Sequence, residues 1–275
     1  MLLECNYTNA NIAIDCDRNI LYFDGMQFQT NADTNLVYIN RLANRGWAIN
    51  KKSLSKFGLD FSLMGGNLLA IWEIFEERVY DVDVSNKEVV DVGAGQGDSA
   101  LFFALRGAKK VLAYEANTQT FETARANILR NQLGRTITIE NKLVVSENLF
   151  MDITHKGKSP TDSTSRGFNT SLHRSVSNIS IEEIVDRLSE PFLLKMDCEG
   201  CEYSLIMNSY DALKKFEIII FEFHPLLTGV TCFKLKSLLE RDFICKTSNR
   251  EVSMRTYSPL QSPLLGVMYC YKRHI

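Results

Sequence analysis

The sequence predicts an α/β protein: a doubly wound, mostly parallel sheet with helices on both faces, preceded by a small α+β region. Three observations predict it. From about residue 87, short β-rich runs alternate with segments of helical periodicity. A glycine cluster, Gly93-Ala94-Gly95-Gln96-Gly97, stands between the first such run and the first such helix. Residues 1 to about 85 lack the alternation, so the 275 residues divide into an N-terminal cap, 1–85, and a larger domain, 86–275.

Within the cap, Asn19 to Thr30 reads as a hairpin around Asp24-Gly25, a dipeptide that tolerates positive φ. Asn67 to Arg78 reads as a helix with Leu68, Ile71, Trp72 and Phe75 on one face. Val89 to Val92 is then a buried strand, and Asp98 to Arg106 a helix closed by Gly107. Lys110 to Glu115 is the second strand, Asn117 to Asn131 a helix capped by Asn117 or Thr118, and Ile137 to Val145 a third strand. Residues 154–179, rich in Ser, Thr, Lys and Asn, read as a surface loop near the site. Ser180-Ile-Glu-Glu183 is a capping box that opens a helix to about Leu188. Phe192 to Met196 is a strand, Cys201 to Lys215 a helix, Phe216 to Phe223 a strand and Thr231 to Glu240 a helix. Phe243 to Cys245 and Leu265 to Tyr271 close the sheet. In such sheets ligands sit beyond the carboxyl ends of the strands, where the winding direction reverses.

Composition narrows the function classes. Hydrophobic residues make up 45% and charged residues 23%, enough for a sizeable core and unlike a disordered or fibrous chain. The formal charge of −2 does not suggest the broad basic face of a duplex binder. Seven cysteines, an odd number, argue for reduced intracellular thiols rather than a disulfide framework. The N-terminus lacks the pattern of a signal peptide, and no apolar stretch is long enough to span a bilayer. A cytoplasmic location is therefore expected, and the sequons at Asn6, Asn169 and Asn178 are taken as chance matches. Gly157-Lys158-Ser159 resembles the end of a phosphate loop, but Asp152 stands where its first glycine belongs.

The glycine cluster carries the chemistry. Alternating glycines let the backbone turn sharply and approach a ligand, and the next helix offers free N–H groups. The spacing is G-x-G-x-G, not the G-x-G-x-x-G of dinucleotide sites, and Asp91 stands two residues before it. An acid there suits a ligand with a cationic amino group. Glu115 ends the second strand 24 residues after Asp91, near the offset of about 20 for a ribose-binding acid.

These residues, Val90 to Ser99, together with Gly107-Ala108, Tyr114-Glu115-Ala116, Ala126-Asn127-Ile128 and Asn131, resemble class I S-adenosylmethionine-dependent methyltransferases. Lys195-Met-Asp-Cys-Glu-Gly-Cys-Glu202 is similar to the K-x-D-x-E-G-x-E block of the FkbM family, and Phe221-Glu222-Phe223-His224 to its next strand end. The resemblance covers roughly residues 87–224. It implies a Rossmann-like, seven-stranded sheet with an antiparallel last strand, and methyl transfer from S-adenosyl-L-methionine, often to an oxygen. By position, it implies a cofactor site of Asp91, Gly93, Ala94, Gly95, Gly97, Asp98, Ser99, Glu115, Ala116, Asn117 and Asp197. Cys198 and Cys201 depart from the family's usual aliphatic or small residues, and Asn141 to Ser146 offers no clear adenine-binding acid.

A hydroxyl acceptor needs its proton taken as it attacks. Asp197 and His224 end successive strands and are candidate catalytic residues, His224 having the better-placed ordinary pKa. Glu199 is a third candidate; it and Glu202 also suit the start of the following helix on dipole grounds alone. Lys195, in an apolar strand, is expected to pair with one of these carboxylates. Cys198-x-x-Cys201 has no second pair to complete a zinc site, so both are expected to be packing thiols and no metal site is assigned. The expected acceptor is a small molecule or carbohydrate, with no membrane partner. An RNA or protein acceptor, supported only by Lys156, Lys158, Arg166 and Arg174, and a non-catalytic nucleoside-binding module are the alternatives. Oligomeric state is not legible.

Overall fold

A computed structural model describes residues 8–9, 12–15, 20–23, 26–29, 33–50, 53–62, 67–146, 176–248 and 266–274. The turn Asp24-Gly25, Cys5, Cys16, the sequons at Asn6 and Asn169, the four basic residues between 156 and 174, and most of the 154–179 loop lie outside them.

The centre is a seven-stranded sheet. In chain order its strands are β8 (Glu88–Val92), β9 (Lys110–Tyr114), β10 (Ile137–Glu140), β13 (Pro191–Met196), β14 (Ile218–Phe223), β15 (Phe243–Thr247) and β16 (Gly266–Lys272). Their spatial order is β10-β9-β8-β13-β14-β16-β15. All neighbours are parallel except β16, which runs antiparallel to both β14 and β15. The antiparallel last strand and doubly wound order match the expected α/β class. The winding reverses between β8 and β13, so a crevice opens beyond their carboxyl ends.

Alternate residues of the strands feed two cores, as period-two side chains must. Val89, Val111, Ala113, Leu193 and Ile220 face one apolar cluster; Val90, Leu112, Leu194, Ile219 and Phe221 face the other. β8 is buried at every position, which is why it reads as an unbroken apolar run apart from Glu88 and Asp91. Helices α3 (Asp98–Leu105) and α4 (Thr118–Arg130) follow β8 and β9, with Asn117 capping α4 by accepting from Thr120 N–H. Ser180 likewise caps α5 (Ile181–Asp186) through the Glu183 N–H. The expected long helix after β13 breaks at Ser209 into α6 (Cys201–Asn208) and α7 (Tyr210–Leu213); α8 (Pro225–Thr228) and α9 (Cys232–Leu239) complete the second half. The expected third strand also divides: β10 stays in the main sheet, whereas β11 (Lys142–Val145) leaves it to pair with β12 (Ser177–Ser180).

In the N-terminal region, β1 (Thr8–Asn9), β2 (Ile12–Asp15), β3 (Ile20–Phe23) and β4 (Met26–Gln29) form an antiparallel sheet, with β3 and β4 paired as the hairpin expectation requires. Helix α1 (Asp33–Asn44) precedes a small sheet of β5 (Ala48–Ile49), β6 (Ser53–Lys56) and β7 (Leu59–Ser62). Helix α2 (Leu68–Ile71) runs into a π-helical turn, Trp72–Glu76, in place of one regular helix. Leu42, Trp47, Phe61, Ile71 and Phe75 share one apolar cluster with Val89, Leu101 and Phe103 of the main domain. Two asparagines of α4 tie this region down. Asn131 exchanges both bonds with the Asp60 backbone at 2.7 and 2.8 Å. Asn127, fully buried, accepts from Ser62 N–H and donates to the Gln96 carbonyl of the glycine loop.

The cysteine expectation is corrected. Cys198 is bonded to Cys201, and Cys245 to Cys270; Cys232 is the free thiol among the described residues. Cys245 and Cys270 are direct partners in the β15–β16 register, a proximity set by tertiary pairing that no spacing rule reveals. No described helix is long and apolar enough to cross a membrane.

Candidate active site

The glycine loop is held from three sides. The N–H groups of Gly93 and Ala94 both donate to the Tyr114 carbonyl at the end of β9. On the other side the backbone of β13 crosses so closely that a Cβ on Gly93 would lie 1.9 Å from the Asp197 carbonyl oxygen. Only glycine fits there, at a φ of +73°. From α2, the Asn67 N–H donates to Gln96 Oε1 and Gln96 Nε2 donates back to the Asn67 carbonyl.

Beneath the loop lies a buried ion pair. Asp91 and Lys195 are register partners on β8 and β13, 0% and 2% exposed, and Lys195 Nζ sits 2.9 Å from Asp91 Oδ1. The same ammonium donates to the Gly93 carbonyl at 2.7 Å, and Ser99 Oγ donates to Asp91 Oδ2 at 2.6 Å. Burial opposes the charge on Lys195, but Asp91 and then Asp197 outweigh it and raise its pKa. This corrects the expectation for Lys195. Lys195 pairs with Asp91 rather than with a carboxylate of its own block. Asp91 supports the loop from below and does not line the cleft, because its side chain is enclosed. Ala94 and Gly97 are also absent from the cleft wall: Ala94 is buried, and Gly97 packs against Ala124 of α4.

The cleft itself measures about 520 Å³ and opens beyond the carboxyl ends of β8, β9 and β13. Gly93, Gly95, Asp98 and Ser99 line it on the loop side. Glu115, Ala116 and Asn117 line it beyond β9, with Lys142, Leu143 and Val144 of β11 beside them. Asp197 and Glu199 line the third side, Glu199 exposed and at a φ of +51°. Glu115 already accepts from Gly95 N–H at 3.0 Å and Asn117 N–H at 2.7 Å, and burial raises its pKa. Each of its oxygens keeps a lone pair for a further donor. Asp98, 4% exposed, accepts from Ser99 N–H, and burial pushes its pKa up to about 6. Asn141 props the β9 end by donating to the Glu115 and Ala116 carbonyls, filling by backbone support the place where the sequence showed no acid.

At one end the cleft meets a smaller cavity of about 50 Å³, the two sharing Ala70, Ile74 and Asp197. Tyr80 and Glu222 line this cavity too, and neither was expected at the site. Tyr80 Oη donates to Asp197 Oδ2 at 3.2 Å. Burial, and then the Asp197 charge, push the Glu222 carboxyl up to about 10, so it holds a proton at neutral pH. His224 follows on the same strand end: its Nε2 lies 3.8 Å from Glu222 Oε2 and its Nδ1 is 3.1 Å from Glu202 Oε1. Donor atoms of Asp197, Glu222 and His224 all fall within 4.8 Å of one another. Asp197 and His224 thus lie near one another, but Asp197 lines both cavities and His224 neither, while Glu199 stands apart on the rim. An acid inside an otherwise apolar strand, Phe221-Glu222-Phe223, was the available signal for Glu222.

Comparison with known proteins places this architecture. A family model, the methyltransferase FkbM domain, matches residues 91–243, more than half of the chain and both halves of the cleft. Ribosomal protein L11 methyltransferase of Carboxydothermus hydrogenoformans is 43% identical over 68 residues, 24% of this chain and 22% of that protein, so the chain spans about a fifth of that relative. Uncharacterized protein 158B of Sulfolobus islandicus rod-shaped virus 1 is 24% identical over 149 residues, covering 54% of this chain and 70% of that one. Among solved structures, an rRNA methylase from Streptococcus thermophilus is 14% identical with a TM-score of 0.42, covering 72% of this chain and 91% of that chain. On the family match, with the sheet order and glycine loop that accompany it, the chain belongs to the FkbM methyltransferase domain family.

Proposed function

We propose that the protein uses S-adenosyl-L-methionine to methylate an oxygen of a small molecule or carbohydrate. The observation that carries the reading is the juxtaposition at the sheet's switch point: a glycine-walled cleft with Glu115 at one side meets, at its end, a small cavity lined by Asp197 and Glu222, with His224 close behind them. A volume of about 520 Å³ lies within the range of roughly 300–1,000 Å³ for such ligands. The residues present suit the cofactor. Glu115 keeps acceptor capacity for two ribose hydroxyls, and Asp98, a buried carboxyl at the cleft wall, is a natural partner for a cationic amino group. When bound, the cofactor supplies a methyl group already activated on a sulfonium, which leaves with its carbon–sulfur electron pair remaining on sulfur.

The chain's own residues then have two tasks. One is alignment, since reacting atoms must be held about 3–3.5 Å apart. The other is removal of the acceptor's proton. His224 lines neither cavity; its Nε2 lies 3.8 Å from Glu222 Oε2, so a proton taken up at the small cavity can reach it through Glu222. Protonated Glu222 and the Tyr80 hydroxyl both bond the Asp197 side chain, which holds it in place to orient an acceptor hydroxyl. A cytoplasmic setting belongs to the same proposal. Calorimetry with S-adenosylhomocysteine tests the reading. Wild type is expected to bind one equivalent at micromolar Kd and Glu115→Ala about tenfold or more weakly; no heat at any concentration would remove the methyltransferase activity.

A further inference from the structure

We propose that Glu202 is a positioning residue, its buried carboxylate holding His224 in the tautomer that carries hydrogen on Nδ1 and turns the Nε2 lone pair toward Glu222, which lines the small cavity. Glu202 falls in the first turn of α6, where an acid often serves only the helix dipole in water. This one is 0% exposed and turned inward. Its Oε2 accepts from the Gly200 N–H at 3.0 Å, which fixes the carboxylate, and its Oε1 lies 3.1 Å from His224 Nδ1. An ionised carboxylate only accepts, so the contact forms only when Nδ1 bears the hydrogen. Nε2 is then the free basic nitrogen, 3.8 Å from Glu222 Oε2.

The groups facing His224 are Glu202 and Tyr203 from α6, Asp197 and Glu199 from the β13–α6 turn, and Glu222 from its own strand end. Burial works against a charge on the ring, but Glu202, with Asp197 and Glu199 behind it, outweighs it and the pKa is raised above the ordinary histidine value. Resting on the methyltransferase reading, the role is specific. Glu222 passes its proton to Nε2 as it takes the acceptor's O–H proton, and the imidazolium so formed is neutralised by the carboxylate already bonded to Nδ1. The pairing joins residues 22 apart in sequence.

The test is long-range proton–nitrogen NMR of the imidazoles across pH. The chain has 4 histidines, and His224→Gln assigns the signal. In wild type, neutral His224 is expected as the Nδ1–H form. Glu202→Gln keeps an acceptor oxygen of the same size, so the tautomer survives while proton affinity falls about tenfold. Glu202→Ala loses both. The Nε2–H form in wild type overturns the proposal without any variant, as does an unchanged titration in folded Glu202→Gln. S-adenosylhomocysteine binding on the same samples separates the two readings. Wild type that fails to bind refutes the methyltransferase reading, whereas binding with the wrong tautomer refutes the role of Glu202 alone.

Discussion

Replacing Lys195 by Met, with the Asp91→Asn and double variants as controls, probes the support beneath the glycine loop. Lys195→Met leaves a fully buried carboxylate with only the Ser99 hydroxyl as its donor, and deprives the Gly93 carbonyl of its 2.7 Å ammonium bond. Breaking a buried pair from one side costs about 3–5 kcal/mol, because the remaining charge is neither solvated nor balanced. Asp91→Asn leaves the ammonium in the same position, and its cost is of the same size. The double variant carries no uncompensated charge, so it is expected to be no less stable than the worse single one. That implies a coupling of at least about 3 kcal/mol. Urea melts followed by circular dichroism give the three values. The singles should melt about 6–20 °C below wild type, at about 2–4 °C per kcal/mol for a chain of this size. Single variants that cost under about 1 kcal/mol, or costs that simply add, would refute the reasoning.

Other perturbations test the site separately. Asp98 has a pKa near 6 when folded against 3.8 ordinarily, so folded protein holds its proton more tightly and stability falls as pH rises between those values. Asp98→Asn removes that loss, about 3 kcal/mol, so without cofactor the variant should gain on wild type from pH 4 to pH 7 in parallel melts. A difference independent of pH would show that Asp98 ionises as freely as in water. The same raised pKa predicts that S-adenosylhomocysteine binds wild type several-fold more weakly at pH 5 than at pH 7, and that Asp98→Asn flattens this dependence in calorimetry. Gly93→Ala puts a methyl 1.9 Å from the Asp197 carbonyl at a left-handed φ, so a cost of about 2–5 kcal/mol and loss of cofactor binding are expected. Reduction should matter unequally. Opening Cys245–Cys270, 25 residues apart, costs about 3–4 kcal/mol and opening Cys198–Cys201, 3 apart, about 2 kcal/mol, measurable with single Ser variants under non-reducing conditions.

What was legible in the sequence was what local chemistry dictates. Alternating glycines after a β-branched run, the Asn117 and Ser180 caps and the strand–helix alternation each follow from backbone sterics or hydrogen-bond supply, and the structure repeats them. What was not legible depends on which strand lies beside which. Asp91 and Lys195 are 104 positions apart in sequence yet face each other across β8 and β13, so the pairing that supports the loop has no local signal. Cys245 meets Cys270 through the same kind of register. The break of the Cys201 helix at Ser209 and the π-turn at Trp72 keep the helical pattern while changing which side chains reach the cleft, and periodicity cannot distinguish them. Tyr80 carries no motif at all; it joins the site because the segment before β8 packs over Asp197.

A crystal structure with bound S-adenosylhomocysteine tests the central claim most directly. The ribose hydroxyls are expected on Glu115, the amino group at Asp98, and the sulfur directed to the end of the cleft where Asp197, Glu222 and His224 meet. A ligand whose sulfur points away from that cluster, or whose ribose makes no contact with Glu115, would contradict it.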